Sequence, residues 1–389
     1  MSGQSDQAAL GNGLPSVIVN KRKRIPSAAD LVIRGNKEPI ETLETFIKNW
    51  KKLDGGDSDI TEAADDRLKS LKYLEKYCED NPEENVEAIP LSSLDLEDLV
   101  RMNAHVVKVV SFERWESGTI AQFNSNSARV ISPKDIDDCW HQNEGALSCG
   151  LDGITQGVSN KPEPFARMLI DIILLLVLRR LNENVAGVLF VELPISKGTD
   201  YPTCIKCVVS DTETETTFLM GRVDYLLLVC QERVEEAKLA VLKAPDQAKA
   251  SLKSFVRDKG IRKIWIFNDE SVQGFVFEAK VEERKKLIDH LPQVIGECLV
   301  TMAVASRNAV PWCLTTGKTW IFGNVVGKQS VSGWKYSVYH SEPISWNIEG
   351  QPQDVVKKKR NEVMKRVFMM LAYWAIMKPH DIEVFSENL

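Results

Sequence analysis

The chain of 389 residues has no long apolar run. Its longest, Val367 to Met377, covers eleven residues between Arg366 and Lys378, whereas a membrane-crossing helix needs about 20. The opening residues, Met-Ser-Gly-Gln-Ser-Asp-Gln, do not follow the charged-then-apolar order of a secretory signal. Both absences lead us to expect a protein of the cytosol or nucleus. Positive charge is not in excess: 49 Lys and Arg stand against 55 Asp and Glu, a formal net charge of −6. That excludes a protein coating nucleic acid through its overall charge. Cysteine is sparse, with eight residues and none of the regular spacing of a disulfide scaffold. Several catalytic signatures are missing too, namely the Gly-x-x-x-x-Gly-Lys phosphate loop, the Gly-x-Ser-x-Gly elbow, His-Glu-x-x-His and the kinase catalytic loop.

What is present is the balance of a globular protein, 43% hydrophobic and 27% charged, long enough for one large or two ordinary domains. Residues 1–30 read as a disordered tail rich in Ser, Gly, Gln and Ala. Within it, Lys21-Arg22-Lys23-Arg24 is either a nuclear localisation signal or a solvated charge cluster. Residues 31–160 read as a mainly helical region. Its pattern is helical from Glu38 to about Val110, with Leu43, Phe46, Ile47 and Trp50 at helical spacing, then Leu68, Leu71, Leu74 and Tyr77. Ser92-Ser93-Leu94-Asp95 reads as a helix start. Between Glu41 and Val100 there are 17 acidic and 7 basic residues, which suits a packing or partner-binding unit. Residues 111 to 162 are mixed, and Trp140, His141 and Cys149 within them form no site.

The texture changes after Pro162. Glu163 to Leu181 predicts an apolar helix with Pro162 and Pro164 in its first turn. Val185–Pro194, Ile205–Ser210 and Thr216–Cys230 predict strands. Arg262–Phe267 and Gly274–Val281 predict a hairpin, and Leu287–Ala305 a helix that starts or kinks at Pro292. Two or three further strands run from Trp312 to Trp346, before a last helix over Asp354 to Met377. Residues 161–389 are thus expected to be an α/β domain, a mixed central sheet flanked by helices. Cys204 and Cys207 have zinc-ligand spacing, but no second pair stands near them and the segment reads as a strand. Lys249, Lys253 and Arg257 repeat at spacing four in a basic insertion that continues to Lys263. They are either phosphate contacts or a solubilising surface. Lys357-Lys358-Lys359-Arg360 opens the last helix against its dipole, a weak sign of a partner.

The block that carries chemistry is Gly221-Arg-Val-Asp224 on one strand, Glu278-Ala-Lys280 on another, and Gln293 with Glu297 on the next helix. Glu278 and Lys280 are two apart and share a strand face, while Phe275, Phe277 and Ala279 turn the other way. A Glu and a Lys on an apolar strand are costly to bury without partners. With Asp224 alongside, two carboxylates suit a hard divalent cation, and Lys280 suits the orientation or activation of a water attacking a phosphodiester. Gln293 and Glu297, four apart, lie on one helix face directed toward the rim of such a site. The bland alternative is an ordinary salt-bridged strand.

The order GRVDYLLL, FVFEAK, LPQVIGE, VPWCLTTGKTWIFG resembles the PD-(D/E)XK nuclease superfamily over roughly residues 160 to 330. It is especially similar to nuclease-like domains of fungal hypothetical proteins and of Crinkler-type effectors. The resemblance implies a restriction-endonuclease-like core and Mg²⁺- or Mn²⁺-dependent hydrolysis of nucleic acid, DNA first. It implies Asp224 and Glu278 as metal ligands, Lys280 as the catalytic lysine and Gln293 as the helix glutamine. A further acid on the first core helix would be Glu163, with Asp171 second. The chain departs from the family pattern in having Val223 before Asp224, a gap of 54 positions from Asp224 to Glu278, Glu297 in place of a tyrosine, and Thr316-Gly317 in place of Asp-Gly. Inactive members occur, so a pseudonuclease that binds protein or nucleic acid is the alternative.

Overall fold

The computed structural model describes residues 85–125, 132–157, 162–181, 186–194, 203–208, 214–230, 272–280, 286–305, 307–331, 333–346 and 350–389, with scattered positions between 44 and 81. The elements in chain order are β1 (Asn85–Pro90), α1 (Leu96–Arg101), β2 (Ala104–Val110), α2 (Phe112–Ser125), α3 (Pro133–Gly157) and α4 (Pro162–Leu181). Then come β3 (Ala186–Pro194), β4 (Thr203–Val208), β5 (Thr214–Met220), β6 (Arg222–Cys230), β7 (Val272–Ala279) and α5 (Leu291–Ala305). The rest are β8 (Ala309–Thr315), β9 (Thr319–Ser330), β10 (Gly333–Ser341), β11 (Ile344–Ser345), α6 (Gln353–Ile376) and α7 (Pro379–Asn388). The tail at Lys21–Arg24, the strand expected at Arg262–Phe267 and the basic insertion with Lys249, Lys253, Arg257 and Lys263 lie outside the described residues.

An eight-stranded mixed sheet in the order β2-β10-β9-β8-β7-β6-β3, with β11 joined to β9, is the frame of the molecule. Helices cover both faces, as expected of an α/β fold. A second sheet of three strands runs β1-β5-β4. The expectation of an all-helical stretch up to Val110 is corrected here, because β1 pairs in parallel with β5 and β2 in parallel with β10. Both strands carry β-branched residues, Val86 and Ile89 in β1 and Val106, Val107, Val109 and Val110 in β2, and pairing with distant strands overrides a weak local preference. The helix start at Asp95 is confirmed, since its side chain accepts from the N–H groups of Glu97 and Asp98 and Asp98 returns the bond. Within the stretch read as mixed, Phe112–Ser125 and Pro133–Gly157 are helices.

Alternation along the strands sorts the core into two layers. Tyr225, Leu227, Phe275, Phe277, Cys313 and Phe322 face one layer, filled by α2, α3, α4, α6 and α7. Leu226, Leu228, Val276, Trp312, Leu314 and Ile321 face the other, filled mainly by α5. Every residue of β8 is buried, which explains its unbroken apolar run. Pro292 stands at the second position of α5, so the helix starts there and is not kinked. The basic opening of α6 meets an acid within the chain: Lys357 and Arg360 both bind Asp152 of α3, at 2.6 and 2.7 Å. That intramolecular acid accounts for two of the four charges, and Lys359 meets Glu362 of its own helix. Among the described residues, no helix is long and apolar enough to cross a membrane.

Candidate active site

β6 and β7 run antiparallel with Tyr225 opposite Phe277 and Leu226 opposite Val276. The same register brings Asp224 across from Glu278, on the face turned to α5. Asp224 Oδ2 accepts the backbone N–H of Ala279 at 3.1 Å. Lys280 follows at the strand end, where its own N–H donates to the carbonyl of Thr315 at 2.8 Å and fixes it beside β8. Its ammonium is in contact with Glu278 Oε1. From α5, Gln293 Nε2 donates to Glu278 Oε1 at 2.7 Å and to Glu297 Oε1 at 3.2 Å. Asp224, Glu278, Lys280 and Gln293, taken from two strands and a helix, are therefore one connected cluster.

Glu297 is not at the rim. It is fully buried, as is Glu278, and the two carboxyls face one another behind Gln293. Burial, and then the charge of Asp224, pushes Glu278 up to about 7, against the pull of Lys280. Burial, and then the charge of Glu278, raises Glu297 well above its ordinary 4.5. Burial alone would lower the Lys280 ammonium, yet the charge and hydrogen bond of Glu278 outweigh it and hold the group above 10.5. The charged form of Lys280 is thus favoured in the free protein.

One more cation belongs to the cluster. Arg167, in α4, places its guanidinium 3.2 Å from Asp224 Oδ1, with its plane near the ring of Tyr225. Sequence reasoning missed it, although Glu163, Arg167 and Asp171 fall four apart along one stripe of an otherwise apolar helix. Asp171 lies at the edge of the cluster, where it feels the charge of Arg167. It hydrogen-bonds Tyr225, whose ring belongs to the opposite core layer. Burial raises Asp171, and burial followed by the Asp171 charge raises the Tyr225 hydroxyl. Glu163 lies in α4 one turn before Arg167, but its side chain is outside the described residues, as are those of Cys204 and Cys207 in β4.

The oxygens of the cluster suit a hard divalent cation. Glu278 Oε2 and Glu297 Oε2 are buried and find no donor. A proton shared between the carboxyls, an ordered water or a cation would satisfy them. Among the described residues there is no group of three or more His, Cys, Asp or Glu able to hold a metal. A cation here would rest on Asp224 and Glu278, completed by water and substrate oxygens, as is usual for magnesium. The turn that closes the site, Thr316-Gly317, is fixed by space. Gly317 has φ +77°, and a Cβ there would stand 2.9 Å from Leu169 Cδ1 and 3.2 Å from Ala166 Cα of α4.

Compared with family models and with curated proteins, the chain matches none.

Proposed function

We propose that the chain is a metal-dependent nuclease of PD-(D/E)XK type that hydrolyses phosphodiesters of nucleic acid, DNA in the first instance. The observation that carries this reading is the convergence of Asp224, Glu278 and Lys280 at one end of the sheet, with Gln293 bound to Glu278. Asp224 and Glu278 would hold Mg²⁺ or Mn²⁺, which supplies Lewis acidity and charge neutralisation when bound. Lys280, kept charged by Glu278, orients the attacking water and faces the charge that develops on the phosphate. Gln293 fixes the rotamer of Glu278, so the ligand is placed before substrate arrives. The basic run Lys21–Arg24 would serve nuclear entry, and the acidic stretch before Val100 a protein partner.

A second reading has its own observation. Asp224 is already paired with Arg167 and Glu278 with Lys280, and a closed network of this kind suits a pseudonuclease that binds without cleaving. Cleavage of plasmid and single-stranded DNA with Mg²⁺ or Mn²⁺ separates the two. Metal-dependent cleavage lost in both Lys280→Ala and Asp224→Ala supports the nuclease. Folded wild type that neither cleaves DNA nor takes up metal by calorimetry sinks it.

A further inference from the structure

We infer that Arg167 is a phosphate-binding residue of this site, held on Asp224 until a cation and a nucleic acid displace it. The inference rests on the proposed nuclease reading and adds to it a residue that recognises substrate.

Asp224 has two oxygens and both are in use. Oδ2 takes the N–H of Ala279, a backbone group fixed by the sheet. Oδ1 takes Arg167 at 3.2 Å, so it is the oxygen that a divalent cation must share or win. The guanidinium and the cation are direct competitors for one atom.

The helix that carries Arg167 cannot yield. Ala166, Leu169, Ile170 and Ile173 of α4 are all buried to within 1%, and the Gly317 turn is pressed against Ala166 and Leu169. Any movement is left to the side chain, which also meets the ring of Tyr225 and the charge of Asp171. The side chain is 23% exposed. A guanidinium presents two parallel N–H groups that match two oxygens of a phosphodiester. When a cation occupies Oδ1, Arg167 loses one acceptor beside the place where a phosphate must sit. The two equilibria therefore have opposite signs: removing the guanidinium helps the cation and harms the nucleic acid. An arginine that merely braced the fold would weaken both.

Arg167→Gln, which keeps most of the length and no charge, and Arg167→Lys, which keeps the charge without the fork, form the test. Mn²⁺ affinity of the protein alone is read by electron paramagnetic resonance. Binding of a fluorescent DNA oligonucleotide is read in Ca²⁺, and thermal melting confirms that each variant is folded. We expect Arg167→Gln to bind Mn²⁺ about 2–5-fold more tightly, as befits an ion pair that solvent still screens in part, and the oligonucleotide about tenfold more weakly. Arg167→Lys should restore part of the oligonucleotide binding. Mn²⁺ affinity that is unchanged or weaker in Arg167→Gln overturns the competition for Asp224. Oligonucleotide affinity equal to wild type overturns the phosphate contact. Wild type that cleaves DNA beside an Arg167→Gln protein cleaving equally well leaves the nuclease standing and the inference refuted. Opposite shifts in the two affinities, without cleavage by wild type, leave the inference standing and refute hydrolysis.

Discussion

Replacing Glu297 by glutamine tests whether the buried carboxyl pair holds a proton in the folded protein. Burial and the charge of Glu278 raise Glu297 well above its ordinary 4.5, the value it regains on unfolding. Between those two values the folded state carries a proton that the unfolded state lacks. Stability is then fully present below about pH 4.5 and is lost as pH rises toward the folded value, since the unfolded state binds fewer protons. One proton of difference is a slope of about −1.4 kcal/mol per pH unit. At about pH 7.5 the accumulated cost of a carboxyl kept neutral is about 4 kcal/mol. That figure is the limit for a carboxyl that keeps its proton up to about pH 7.5, and a folded value below that pH makes it smaller. Glutamine has the shape of the protonated acid and never ionises. Its carbonyl still accepts from Gln293, and its amide donates to Glu278. The Glu297→Gln protein should therefore be more stable than wild type by about 2–4 kcal/mol at about pH 7.5, after about 1 kcal/mol for imperfect amide geometry. Its urea-derived unfolding free energy should also fall less steeply with pH, by about 1.4 kcal/mol per unit over the range from about pH 5 to 7.5. A Glu297→Gln curve parallel to that of wild type, with no gain at the higher pH, would refute the proton assignment.

Two further outcomes probe the frame around the site. Gly323 of β9 lies under the indole of Trp312, where an added Cβ would be 2.0 Å from Cζ2 and 2.7 Å from the carbonyl of Tyr339. Gly323→Ala should lower the unfolding free energy by about 3 kcal/mol or more in urea titration, and a loss below about 1 kcal/mol would mean that the indole can move aside. Thr119 Oγ1 accepts the indole N–H of Trp374 at 3.1 Å in a fully buried setting. Thr119→Val keeps the volume and orphans that donor, so it should cost about 1–3 kcal/mol, read by thermal unfolding, whereas an unchanged melting temperature contradicts the bond.

The candidate site was legible where spacing alone decides geometry. Glu278 and Lys280 share a face because they are two apart on a strand, and Gln293 and Glu297 share one because they are four apart on a helix. Nothing in the sequence gives the depth of a helix against a sheet. Glu297 therefore read as a rim residue, although packing of Val294, Ile295 and Cys298 into the core draws it inside. Arg167 was hidden for another reason. Its partner is 57 residues away, and a long-range ion pair leaves no local mark beyond a polar stripe on an apolar helix. The strands β1 and β2 were lost to the same effect, because their partners β5 and β10 are distant in sequence. Where partners are adjacent, as in β8 and β9, the strands read directly.

Charge connects the residues that were read with those that were not. In the free protein Asp224 is matched by Arg167, Glu278 by Lys280, and Glu297 is held toward its neutral form. Buried charges persist when paired in this way, since an unmatched one costs several kcal/mol, about 3–5 when a single partner is removed. The cluster thus carries little net charge as it stands, and gives a phosphate little reason to enter. A divalent cation on Asp224 and Glu278 turns the balance positive. The anion that restores it, on the proposed reading, is the phosphodiester, and Arg167 is the resident cation already placed to meet it. Cation and nucleic acid are then coupled ligands, each improving the site for the other, and the coupling runs through a residue that belongs to neither motif of the sequence.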